Sequence, residues 1–145
     1  MFGIKPYLTF TGNCEEAIKF YTEKLGGEIL FTQRYGESPM KGMGPDKAIM
    51  HATIRIGDSI IMASDNCSTE HPTNIGNNIS LAMGSDDVVS AEKMFAEMSD
   101  GARVVMPMQE TYWAERFGML VDKFGINWMF NCDKPEADHA KAIGT

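Results

Sequence analysis

The sequence predicts an α+β chain made of two tandem βαβββ units, and three observations predict it. A helix-like segment occurs twice: Glu16–Gly27 reads EAIKFYTEKLGG and Ser90–Gly101 reads SAEKMFAEMSDG. At a constant offset of 74 residues, Ala17 meets Ala91, Lys19 meets Lys93, Tyr21 meets Phe95, Glu23 meets Glu97 and Gly27 meets Gly101. Each copy lies between short β-like runs. Each is followed later by a glycine turn between apolar runs, IRIGDSIIM around Gly57 and VDKFGINWMF around Gly125. The expected units are residues 1–65 and 78–133. Residues 66–77 form a linker and 134–145 a loose C-terminal tail.

The elements follow in order. Tyr7–Phe10 reads as a strand. Asn13 and Glu16 have capping-box spacing, which satisfies orphan amides at a helix start. Ala17, Ile18, Tyr21 and Leu25 then form an apolar stripe at helical spacing. Gly26-Gly27 ends that helix, since glycine accepts a left-handed cap at little cost. Glu28–Arg34 reads as the next strand, and Gly36–Lys47 as a loop. Ile49–Ile56 alternates, with Met50, Ala52, Ile54 and Ile56 on one face and His51, Thr53 and Arg55 on the other. Gly57-Asp58 turns the chain, and Ser59–Ser64 returns. The join Asp65–Asn78 is rich in Asn, Ser, Thr and Pro. The second unit repeats the order. Ile79–Met83 is a strand, and Asp86 or Asp87 caps a helix with the stripe Val88, Ala91, Met94, Phe95 and Met98. Arg103–Gln109, Met119–Lys123 and Asn127–Cys132 are the remaining strands.

Composition narrows the function. The chain has 145 residues, 20 acidic and 13 basic, for a formal charge of −7. That balance argues against a general nucleic-acid binder or an anionic-membrane binder. Apolar content of 43% suits a globular protein. No apolar run approaches the length of a membrane span. The three cysteines are isolated and odd in number, and the opening MFGIKPYLTF lacks signal-peptide character. The expected compartment is the cytoplasm.

Several motifs together resemble the vicinal-oxygen-chelate superfamily, which includes glyoxalase I, extradiol dioxygenases and the fosfomycin- and bleomycin-resistance proteins. Its PhnB-like branch is the nearer likeness. The residues that carry the likeness are Pro6-Tyr7-Leu8, Phe10-x-Gly12-Asn13, Ala17 with Phe20-Tyr21, and Gly26-Gly27. His51-Ala52, Ile56-Gly57-Asp58 and Gln109-Glu110-x-x-Trp113 add to them. Arg116-Phe117-Gly118, Asp122-x-Phe124-Gly125 and Trp128 complete the set. The resemblance implies curved mixed sheets around a small-molecule pocket, in a homodimer. It also implies, for metal-dependent members, a divalent ion held by His and Glu on the first and last strands of each unit. Those positions fall near Pro6, Asn78 or Ser80, Ile61 and Met129, and none is His or Glu. The expectation is therefore no metal site of that kind and no cofactor. No glycine-rich turn of the Rossmann or phosphate-loop type is present either.

Two segments remain as candidates for chemistry. His51, mid-strand on the polar face, suits acid, base or hydrogen-bond work, and equally suits a plain structural contact. The run Gln109-Glu110-Thr111-Tyr112-Trp113-Ala114-Glu115-Arg116 offers a carboxylate, a phenol, an indole and a guanidinium. It reads as a pocket rim, or as an interface aromatic beside a surface ion pair. The candidate catalytic pair is His51 and Glu110, and the candidate ligand contacts are Trp113, Tyr112, Arg116, Ser64 and Arg55. The expected function is binding or sequestering a small ligand. The alternative is a lyase, isomerase or hydrolase of the same fold using His51 and Glu110, with no metal or a noncanonically held one.

Overall fold

A computed structural model describes residues 2–134. Two compact units divide after Asn74. Each holds a four-stranded sheet and one α-helix, and each sheet has the same strand order.

Unit 1 contains β1 (Tyr7–Phe10), α1 (Cys14–Leu25), β2 (Glu28–Arg34), β3 (Ile49–Ile56) and β4 (Ser59–Asp65). The sheet order is β1-β4-β3-β2, with β1 and β4 parallel and the other pairs antiparallel. The stripe read from the sequence is buried: Ala17, Ile18, Tyr21 and Leu25 of α1 pack on the face bearing Ala52, Ile54, Ile61 and Ala63. Each large side chain buried this way contributes about 1.5–3 kcal/mol. The opposite sheet face carries no helix of this unit. There Tyr7, His51, Thr53, Arg55 and Ser64 emerge by strand alternation.

Unit 2 contains β5 (Leu81–Ser85), α2 (Val88–Met98), β6 (Arg103–Gln109), β7 (Ala114–Val121) and β8 (Asn127–Asp133), in the order β5-β8-β7-β6. Ala91, Phe95 and Met98 of α2 cover Leu120, Phe130 and Cys132. The Phe95 and Phe130 rings meet edge-on at 5.7 Å. Among the described residues no helix is long and apolar enough to cross a membrane.

Several sequence expectations shift. Asn13 precedes α1, but its side chain makes no capping bond. The cap comes from 51 residues away: the buried Asp65 carboxylate accepts from the backbone N–H of Cys14 and of Gly12, both at 2.9 Å. Its other oxygen accepts from Ile49 N–H at 2.8 Å. In α2 the cap is local, with Asp87 accepting from Ser90 N–H at 2.7 Å. The glycine that matches Gly101 is Gly26 rather than Gly27: both take left-handed backbone, at φ 74° and 71°. Gly27 is needed for another reason, because a Cβ there would strike the Arg55 carbonyl. β5 begins two residues later than expected, leaving Ile79 exposed. β7 begins five residues earlier, at Ala114, inside the segment read as a loop. A Thr111–Ala114 turn closes that hairpin, with Thr111 N–H and Ala114 N–H each donating at 3.0 Å across it. The tail 135–145, with His139, lies outside the described residues.

Candidate functional site

On the helix-free face of unit 1, register brings together residues far apart in sequence. Tyr7 lies on β1 opposite Met62 of β4, and β3 places His51 opposite Gln33 of β2. The Tyr7 phenol reaches the His51 Nδ1 at 3.3 Å, and Thr53 Oγ1 lies 3.3 Å from Nε2. A neutral imidazole has one donor and one acceptor. One hydroxyl therefore donates to the ring while the other accepts from it. The Tyr7 and Phe31 rings flank the imidazole, with centroids at 5.7 and 6.1 Å. Both flanking side chains stay about half exposed, at 47% and 49%.

Arg55 lies further along β3 and is committed to Glu28, its cross-strand neighbour. Ser64 sits half-buried on β4, opposite Thr9. Thus His51, Thr53 and Ser64 share one face, while Arg55 sits on that face in an ion pair. Tyr7 and Phe31 are the residues that sequence reasoning missed. Tyr7 sits in a motif, but its partner emerges only from the β1–β4 parallel pairing.

The rim segment of unit 2 divides. Tyr112, 83% exposed, meets Trp113 at 4.9 Å, and Trp113 meets Phe117 of β7 at 5.4 Å. Glu110 pairs with Lys134 at 3.6 Å. Arg116 leaves this group: it turns to the helix side, where Nε donates to Glu92 of α2 at 2.9 Å. Its guanidinium also donates to the Glu115 carbonyl at 2.6 Å. The structure therefore places the three aromatic rings together and Arg116 apart from them. By register Phe117, opposite Gln109, occupies the place that His51, opposite Gln33, holds in unit 1. At this register position the imidazole belongs to the first unit.

The family model described as the glyoxalase/bleomycin resistance protein/dioxygenase superfamily matches residues 3–130. The chain belongs to that superfamily. It is 35% identical to Protein YjdN of Escherichia coli K12, over 92% of this chain and 97% of that protein. Protein PA1353 of Pseudomonas aeruginosa is 38% identical with a TM-score of 0.82, covering 92% of this chain and 98% of that one. A PhnB protein from Bacillus cereus is 25% identical with a TM-score of 0.79, covering 90% and 99%.

The superfamily's metal positions can be tested against the donors present. Pro6 precedes β1, Asn78 and Ser80 precede β5, and Ile61 faces the helix. Of the positions read from the sequence, only Met129 lies on a helix-free face. The side chains that do emerge there from the first and last strands are Tyr7, Thr9, Ile60, Met62 and Ser64 in unit 1. In unit 2 they are Ala82, Asn127, Met129, Asn131 and Asp133. Asp133, at the exposed end of β8 and hydrogen-bonded by Asn131, is the single carboxylate among these, and none is an imidazole, whereas such an ion takes several donors of those kinds. Among the described residues no three His, Cys, Asp or Glu side chains gather as ligands. Asn131 donates to Asp133, and its buried Oδ1 has no partner among the described residues. A buried acceptor of that kind is open to a ligand donor.

The thiols are poorly placed for nucleophilic work. Burial, then the Asp65 and Glu15 charges, push Cys14 up to about 12. Burial and Asp65 also raise Cys67, which sits against Gly44, and burial raises Cys132. Reactive cysteines need the opposite environment.

Proposed function

We propose that this superfamily member binds or sequesters a small molecule, with the His51 face of unit 1 as its main contact and no divalent ion at the superfamily's ligand positions. The observation that carries the reading is the Tyr7–His51–Thr53 set. It is an imidazole oriented by two hydroxyls and flanked by half-exposed rings, on a scaffold whose first and last strands gather no set of His, Asp or Glu ligands among the described residues. The proposal includes a homodimer in the cytoplasm. Exposed Ile29 and Leu30 on edge strand β2, and Val104 and Val105 on edge strand β6, support a partner copy, because apolar edges invite pairing. Three free thiols suit a reducing compartment.

Native mass spectrometry of the full chain mixed with a bacterial metabolite extract tests the binding reading. A small-molecule adduct is expected on the wild type and lost in His51→Ala. Adducts that survive unchanged in His51→Ala would place the site elsewhere.

The second reading is a metal-independent lyase, isomerase or hydrolase. The hydroxyl on each nitrogen of His51 favours it, since such a chain can move a proton. Glu110, exposed and tied to Lys134, adds nothing visible to that chemistry. Turnover of the captured molecule by the wild type, abolished in His51→Ala, would select this reading over sequestration.

A further inference from the structure

We infer that the His51 face of unit 1 is an aromatic platform for a flat, uncharged heteroaromatic or phenolic ligand that shares one hydrogen bond with the imidazole. The inference rests on the proposed function and names its ligand class.

Three rings from three strands form a row across the sheet: Tyr7 on β1, His51 on β3 and Phe31 on β2. The outer two rings are large, apolar and about half exposed, at 47% and 49%. Exposure of two such rings on either side of a hydrogen-bonding group leaves π-faces and ring edges for another ring to meet. A planar aromatic molecule gains stacking contact there that a puckered one of equal size does not. Specificity comes from polar groups few in number and fixed in place. Here the fixed group is His51, oriented by the Tyr7 and Thr53 hydroxyls, so a ligand hydroxyl or ring nitrogen would exchange with one of those 3.3 Å contacts.

Charge decides the remaining chemistry. The charged side chains that the paired strands place on this face are Arg55 and Glu28, and they are paired with each other. Among the described strand residues beside His51, no unpaired ion is left to hold a ligand's carboxylate, phosphate or ammonium. An ionised ligand would lose hydration without gaining a partner.

The test uses 2-naphthol and quinoline as flat probes. Decahydro-2-naphthol is the puckered control, and 2-naphthalenesulfonate and N-methylquinolinium are the charged controls. Each is titrated into the full chain and followed by amide chemical shifts and isothermal calorimetry. The expected result is saturable binding of the two flat neutral probes, with shifts centred on Tyr7, Phe31, His51 and Thr53. Phe31→Leu should weaken it by about tenfold, the usual scale of a lost stacking contact. Because Phe31 is half exposed, that variant is expected to fold, and its amide spectrum reports this directly. Equal binding of decahydro-2-naphthol at the same residues would overturn the platform and leave the binding face standing. Equal or tighter binding of either charged probe there would overturn the assignment of an uncharged ligand. Shifts confined to other residues would overturn the choice of face itself.

Discussion

Asp65 shows how one side chain sets local structure. It is 2% exposed and its two oxygens accept three backbone N–H bonds, joining the start of α1, the turn before it and the start of β3. Hydrogen bonds to a charged acceptor are worth about 1.5–3 kcal/mol each, and orphaned buried amides cost about as much again. Asp65→Asn keeps the shape but presents an NH2 to one of these donors. We expect it to lower unfolding free energy by about 2–4 kcal/mol, measured by urea denaturation. The cysteines give a second expectation at this scale. With Cys14 pushed up to about 12 and Cys67 and Cys132 also raised, little thiolate exists at neutral pH. Alkylation of the native chain by iodoacetamide should be slow and should accelerate on unfolding. Rapid native labelling of Cys67 would contradict this. His51 was legible as a candidate because alternation put it on a polar face. Tyr7 and Phe31 were not, because β1 and β2 are distant strands whose registers against β4 and β3 decide which rings meet.

At the scale of elements, helix stripes were the most legible. Ala17, Ile18, Tyr21 and Leu25, and then Ala91, Phe95 and Met98, are buried where 3.6-residue periodicity puts them. Caps were legible only when local. Asp87 was readable three residues before Ser90, whereas the α1 cap is supplied by Asp65 from the far end of β4. The Asp87 hydrogen bonds to Ser90 hold its carboxyl below the usual aspartate range. The folded state therefore favours the charged form. Its contribution is present above the unfolded pKa and is lost as pH falls through the depressed folded value. The stability difference between wild type and Asp87→Ala should accordingly shrink on acidification below the ordinary aspartate range, as thermal unfolding at several pH values would show. The start of β7 was not legible, because Ala114-Glu115-Arg116 lacks apolar alternation. That stretch becomes a strand through the Thr111–Ala114 turn and pairing with β8. Arg116 then falls on the α2 side by strand parity, which explains its pairing with Glu92. The Tyr112, Trp113 and Phe117 rings form their own row on this hairpin. Trp113→Leu should cost about 1 kcal/mol of stability, which urea denaturation would register.

Across the whole molecule, the repeated segment predicted the architecture because both units spend their sequence on the same tasks. Each buries one helix against a sheet of identical strand order. Motif residues that signalled the superfamily turn out to hold the scaffold. Asp122 accepts from Phe124 and Ile126 amides and from the Trp128 indole at 2.9 Å, so the Asp-x-Phe-Gly…Trp pattern is a turn with its anchor. The two units diverge on their helix-free faces. Unit 1 presents Tyr7, His51, Thr53 and Ser64. Unit 2 presents a cross-strand row of Met106, Met119 and Met129 beside Phe117. That row is soft and adaptable, and offers nothing to a hard ion at those positions. The central proposal is thus a superfamily scaffold that works without a divalent metal on its first and last strands. Elemental analysis of the full chain, purified without chelator and dialysed exhaustively, tests this most directly. The account predicts divalent metal far below one equivalent per chain. One equivalent of manganese, iron, nickel or zinc that resists dialysis would contradict it.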